Sequence, residues 1–246
     1  MRKAVRLASL ALSVGAVSLI ACGKDGPPPE DPSKVEKKPE KHADGPKVPA
    51  MEYDLGPIDI ATWKQKVASL KGKWNDCYLA AAGKNPTLEG KLTFTVRTRK
   101  DGTVKWAFVK ESSLGDRTVE RCILDSLREQ NYGPPMDARE GEASHTYGWE
   151  LDGDDHRPAD PAATTAVSPA INGVKSKIAA CRAKASSKGA LLATFYIAKG
   201  GKPLSVGLSV SDAEGEAATD CIVEVLMAQK YVNKSSWTTK VTTELP

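Results

Sequence analysis

Aromatic residues are scarce in this 246-residue chain, with five tryptophans, six tyrosines and three phenylalanines. Any core must therefore be mostly aliphatic. Histidine is scarcer still, at three residues, which leaves little for imidazole catalysis or His-based metal sites. No CxxC pair occurs, so the common zinc-ribbon spacing is excluded. Phosphate-cradling loops are missing too, with neither a Walker pattern nor a GxGxxG run. No apolar stretch reaches the roughly 20 residues that a bilayer span needs. The strongest, Leu7 to Ile20, falls short of it.

What is present begins with that stretch. Arg2, Lys3 and Arg6 precede it, and Leu19-Ile20-Ala21-Cys22 ends it. A basic head, a short apolar run and small residues are the marks of a secretory signal peptide, here residues 1–21. The terminal tetrapeptide resembles the lipobox of bacterial lipoproteins. That resemblance implies cleavage before Cys22 and acylation of its sulfur and new amino group. Each buried CH₂ contributes about 0.8 kcal/mol, so several acyl chains make a stable membrane anchor. Gly23, rather than Asp, follows Cys22, which resembles the pattern for outer-membrane sorting, with the protein facing the periplasm. Loss of the leader removes three of the 35 basic residues and leaves 32 against 31 acidic ones. The formal charge of +4 thus belongs mostly to the export signal, and no nucleic-acid partner is expected.

Residues 22–57 read as the lipidated cysteine and a tether. Gly23 to Ala50 holds seven prolines, six lysines and six acids, with almost no large apolar residue. As a coil this segment spans roughly 30 Å, and as polyproline II roughly 85–90 Å.

Beyond the tether the chain repeats itself at an offset of 99 residues. Lys100-Asp101-Gly102 falls on Lys199-Gly200-Gly201, Cys122-Ile123 on Cys221-Ile222, Leu127 on Leu226 and Tyr132 on Tyr231. The copies span 58–151 and 171–246, joined by an acidic, then Pro/Ala-rich linker over 152–170. In copy one, Trp63, Val67, Leu70, Trp74 and Cys77 recur at helical spacing. Leu92, Phe94 and Val96 alternate before an Asp-Gly turn, and Val104, Trp106 and Phe108 alternate after it, giving a hairpin. Val119, Cys122, Ile123 and Leu127 mark a second helix, with Ser113…Asp116 as a capping pattern. Ser211…Glu214 is its counterpart in copy two. His145, Tyr147, Trp149 and Leu151 alternate in a third strand. Copy two follows the same plan from Ile171, Val174, Ile178 and Cys181. Its alternation slips after the turn at Leu204, Val206 and Leu208, which predicts a bulge. The expected fold class is α+β: two αββαβ units, each a three-stranded antiparallel sheet packed on two helices.

Four cysteines remain, Cys77, Cys122, Cys181 and Cys221, and they allow three pairings. Export places them in an oxidising compartment. Repeat equivalence favours Cys77–Cys122 and Cys181–Cys221 over cross-pairing.

Copy one carries a run of short motifs in order: Cys77-Tyr78, Asn85-Pro86-Thr87-Leu88-Glu89-Gly90, Gly102-Thr103-Val104, Ser112-Ser113-Leu114-Gly115-Asp116 and Val119-Glu120-Arg121-Cys122-Ile123. Over about residues 60–151 it resembles the AgmX/PglI C-terminal domain, a TonB-C-like module of bacterial envelope proteins. Copy two lacks the Asn-Pro and Ser-Ser-Leu-Gly elements and resembles a divergent second copy. The resemblance implies an αββαβ domain that makes protein contacts in the periplasm, in some members linked to gliding motility. Energy-transducing TonB proteins start with a retained inner-membrane helix, whereas this chain starts with a lipid anchor, so energy transfer is not expected of it.

No enzyme is expected. His145 reads as a strand residue, Ser112-Ser113 as a helix start, and Asp152, Asp154 and Asp155 as linker acidity without the glycine and bidentate Glu of a calcium loop. His42 and His156 fall in linkers. No catalytic residue, cofactor or metal is anticipated. The expected partners are the membrane through Cys22 and an unidentified envelope protein, docked as an added strand on a free sheet edge. A peptidoglycan-binding or a purely structural role is the alternative.

Overall fold

The computed structural model describes residues 55–150 and 156–246. The leader, Cys22, His42, almost all of the tether, Leu151 and the linker aspartates Asp152, Asp154 and Asp155 lie outside the described residues.

The first element is a two-residue strand, β1 (Leu55–Gly56), and α1 (Ile60–Ala82) follows it. The Asp59 carboxylate caps α1 by accepting the Ala61 N–H at 2.9 Å. The predicted stripe is its buried face, with Trp63, Val67, Leu70 and Trp74 inside and Tyr78 added to them. β2 (Gly90–Thr98) and β3 (Val104–Ser112) form the hairpin, α2 (Arg117–Arg128) follows, and β4 (Glu140–Trp149) returns antiparallel to β2. The second repeat runs β5 (Asp160–Pro161), α3 (Ser168–Gly173), α4 (Lys175–Lys184), β6 (Leu191–Ile197), β7 (Pro203–Val210), α5 (Ala213–Met227) and β8 (Thr239–Glu244).

Two expectations need correcting. Each sheet has four strands rather than three, in the orders β1-β4-β2-β3 and β5-β8-β6-β7. The extra strands pair in parallel with β4 and β8 over two residues each, too short to leave an alternating pattern in sequence. The first helix of repeat two is broken at Val174, whose backbone (φ −115°, ψ 11°) leaves the α-helical region between α3 and α4. The described residues of both repeats belong to one compact unit.

The helix caps also differ from the predicted serines. Asp116 caps α2 through the Val119 N–H at 3.1 Å, and Asp212 caps α5 through the Gly215 N–H at 2.6 Å. Both hairpin turns are locked alike. Gly102 (φ +83°) and Gly201 (φ +88°) hold left-handed backbone, and their carbonyls accept the N–H groups of the equivalent Tyr132 and Tyr231 at 3.0 and 2.8 Å.

The bulge predicted in repeat two is present, and repeat one has its equivalent. Ladder partners skip Leu204 between Tyr196 and Ile197, and skip Lys105 between Arg97 and Thr98. An extra residue reverses which side chains face the helices. Ala107 and Val109 therefore enter the first core, while Trp106 and Phe108 point the other way and pack on the second. In return, Tyr196 and Leu204 of repeat two pack on the first core.

Candidate functional site

The outer strands β3 and β7 lie against each other, α2 reaches β7 and α5 reaches β3. This reciprocal pattern is that of an isologous pair built within one chain. The seam between the repeats is the most chemically specific region of the fold, and the Asn85–Glu89, Ser112–Asp116 and Glu120 motifs of the resemblance line it.

Asn85 fixes its own loop by accepting the Thr87 hydroxyl at 2.8 Å, and its amide meets the Ser205 hydroxyl at 3.4 Å. The Ser112 N–H donates to the Ser209 hydroxyl at 2.7 Å, and the Thr194 hydroxyl donates to the Ser112 carbonyl at 3.3 Å. Gly207 stands where no side chain fits, since a Cβ there would lie 2.8 Å from the Asp116 nitrogen and the Gly115 Cα. The Asn-Pro and Ser-Ser-Leu-Gly motifs that copy two lacks are thus the surface that receives copy two.

Charged groups are buried at the centre of the seam. Glu120 is fully buried and accepts the Ser112 hydroxyl at 2.8 Å and the Leu208 N–H at 3.2 Å. One backbone N–H of β7 is thereby satisfied by a carboxylate in place of a strand. Burial pushes the Glu120 carboxyl up to about 7, against the pull of Ser112 and Arg117. At Val109, the repeat equivalent of Leu208, the backbone amide helps hold the Glu216 carboxyl down, although burial still raises it. Arg117 reaches Glu216 and Asp220 at 2.7 Å each. Burial alone would lower the guanidinium, but these two acids outweigh it and keep it charged. Burial opposes ionisation of Asp220 as well, and its bond to Arg117 prevails and lowers its pKa.

Sequence reasoning missed this cluster, yet the signal was present. At the repeat offset, Arg117 falls on Glu216 and Arg121 on Asp220. Equivalent positions carry opposite charge, so two first repeats would set Arg against Arg, whereas a first and a second repeat set Arg against acid.

The four cysteines pair as repeat equivalence favoured. Cys77–Cys122 spans a Cα distance of 6.5 Å and Cys181–Cys221 one of 5.7 Å. Each joins the first helix of its repeat to the second. His145 lies half-buried on β4 against the Phe94 ring at 5.7 Å, and burial together with Lys71 lowers its pKa. His156 packs its ring near Glu89, with a nitrogen–oxygen separation of 3.8 Å. Ser112 ends β3 and Ser113 follows it, and their hydroxyls serve Glu120 and the Lys91 N–H. Among the described residues no group of three or more His, Cys, Asp or Glu is placed to hold a metal ion, and no helix is long and apolar enough to cross a membrane.

The opposite margin of the first sheet is open. β1 pairs only with Glu140 and Gly141 of β4, so the outer edge of Glu142–Trp149 has no strand beside it among the described residues. Its half-buried aromatics are held rigidly. Asn75 accepts both the Tyr147 hydroxyl at 3.1 Å and the Trp149 indole N–H at 2.9 Å, and Trp149 stacks on Tyr78 at 4.7 Å. Comparison with protein-family models, curated proteins and solved structures finds no match to this chain.

Proposed function

We propose that the chain is a non-enzymatic, lipid-anchored interaction module of the bacterial envelope, held at the outer membrane through Cys22 and facing the periplasm. Its two TonB-C-like repeats form a single head on a long tether, and the partner is an envelope protein. The observation that carries the reading is the open edge of β4. β3 and β7 pack against each other at the seam, which leaves Glu142–Trp149 as the unpaired edge of the first sheet away from the second repeat. An extended segment of the partner adds there as a strand, taking backbone hydrogen bonds from β4. Tyr147 and Trp149 offer its alternate side chains a preorganised aromatic surface. The two cysteine pairs support an oxidising compartment.

Photo-cross-linkers placed at the exposed Ser144 and Thr146 test this in intact envelopes. Capture of a defined envelope protein from these positions, and not from Lys100 in the hairpin turn, is the expected result. Equal capture from all three, or recovery of cell-wall glycan alone, would overturn strand addition at this edge.

A further inference from the structure

The near-neutral charge of the chain conceals a sharp segregation. From Pro161 to Ser211 there is no acidic residue and there are seven basic ones. Four of the lysines, Lys175, Lys177, Lys184 and Lys188, lie on α4 or just after it. All four are exposed, and none forms an ion pair among the described residues. Arg182 is occupied differently, donating to the Gly189 carbonyl at 2.7 Å and the Pro246 carbonyl at 3.2 Å.

The shape of this face matches its charge. Ile178 and Cys181 are the buried side of α4. At 100° per residue the opposite side centres on small residues such as Ala180 and Ala183, with Lys175 on one flank and Lys177 and Lys184 on the other. A low centre rimmed by long cationic side chains can lie flat against a plane, with every ammonium group reaching it. Neighbouring acids do not neutralise the face. On α5, Glu216 and Asp220 are engaged with Arg117 in the seam, and Asp212 caps the helix. Asp220 stays half-exposed while paired, and Glu214 and Glu224 are the exposed acids there without an ion pair among the described residues.

We propose that the exposed face of α4 docks on the anionic phospholipid surface of the leaflet that holds the anchor, so that the head lies down on its own membrane. The inference rests on the lipid-anchor reading above. Charge complementarity selects the occupant, and tethering raises the effective concentration of that surface far above a free encounter. Docking through α4 commits repeat two to the membrane and leaves the β4 edge of repeat one for a partner.

Flotation of the full lipidated chain with two kinds of vesicle tests the docking and the anchor separately. One is phosphatidylcholine alone, and the other includes about a third phosphatidylglycerol. Acetylation of lysines on the bound chain reports the docked face. The expected result is flotation with both vesicles, with Lys175, Lys177, Lys184 and Lys188 protected only on the anionic ones and protection lost at high salt. Lys64, on α1, should label equally on both. Flotation with both vesicles but no change at α4 overturns the docking and spares the anchor. Flotation with anionic vesicles alone overturns the anchor and spares the docking, and flotation with neither overturns both. Protection on isolated sacculi in place of vesicles would assign the face to the cell wall and also overturn the proposal. Changing the four lysines to glutamine should lower anionic-over-neutral partitioning at least about tenfold, with the circular-dichroism spectrum unchanged. An unchanged partition ratio would count against the proposal.

Discussion

The two repeats share a backbone plan and a disulfide but fill their cores differently. Repeat one packs Trp63, Trp74, Phe94 and Tyr132 between its helices and sheet, with Trp63–Tyr132 centroids 4.8 Å apart and Trp74–Phe94 5.5 Å apart. Repeat two has one such aromatic pair, Phe195–Tyr231, amid Ile171, Ile178, Leu208, Ile222 and Leu226. The first helix is an unbroken 23 residues in repeat one and two shorter pieces in repeat two. What both preserve is the hairpin, the bulge and the glycine–tyrosine lock at the turn. A fold of this kind is specified by its backbone geometry and by which positions are buried, while the side chains that fill the core can change as long as total volume is kept.

The sharpest way to break the comparison is to remove one disulfide at a time. The loops closed are 45 and 40 residues, so chain entropy predicts nearly equal losses of about 4 kcal/mol. Because Phe108 sits in the second core and Tyr196 in the first, C77A/C122A and C181A/C221A should each lower a single shared unfolding transition. Calorimetry showing two separate transitions would mean that the repeats fold independently.

Next in size is the charge code of the seam. Arg117→Glu places a third acid beside Glu216 and Asp220 and should destabilise by about 3–4 kcal/mol. The swap R117E/E216R should recover much of that in urea melts, which a role confined to packing would not permit.

The acid–base asymmetry of the repeats gives a pH test of similar or slightly smaller size. Glu120 falls on Thr219 at the repeat offset, so only repeat one buries a carboxyl at this position. Its folded pKa of about 7 lies above the unfolded value of 4.5, so the folded state binds the extra proton between these values. Stability from this group is fully present below about 4.5 and falls by about 3 kcal/mol as pH rises through about 7. Arg117, Glu216 and the Leu208 amide face the same carboxyl. Glu120→Gln should flatten that slope in denaturation series across pH 4–8, and an unchanged slope would place the titration elsewhere.

Smallest is Gly207→Ala. Its new methyl would press on Asp116, Gly115 and Glu120, and overpacking of this kind costs about 1–3 kcal/mol. The equivalent position in repeat one is Phe108, a large side chain buried in the second core. The same substitution at Gly173, where nothing lies within 4 Å of the added Cβ, should be neutral or slightly stabilising in thermal melts.

Much of this architecture is legible in the sequence, because repeats, turn dipeptides and apolar spacing are local signals. The hairpins, the helices and the cysteine pairing follow from them. The seam is not local. Thr194, Ser205 and Ser209 read as the solvent side of an amphipathic sheet, and all three are buried. Alternation marks which residues share a face but not whether a second face is covered. The two-residue strands and the aspartate caps escape for a related reason: each rests on one or two hydrogen bonds, with no periodicity to announce it. The side reversal of Trp106 and Phe108 follows from one skipped residue at Lys105, a position that composition does not distinguish from its neighbours.

The disulfides also decide how the head would bear a load. A pull on the amino-terminal end first strains the two residues of β1 and then unwinds α1 from its start. At Cys77 the force leaves the polypeptide path and crosses a covalent bond to Cys122. The 44 residues between them, which hold the β2–β3 hairpin and the motif loops of the seam, carry no tension. The bond between Cys181 and Cys221 gives repeat two the same bypass. Stretching can lengthen the chain outside these loops, while the surfaces that recognise one another are kept in the slack part of the circuit.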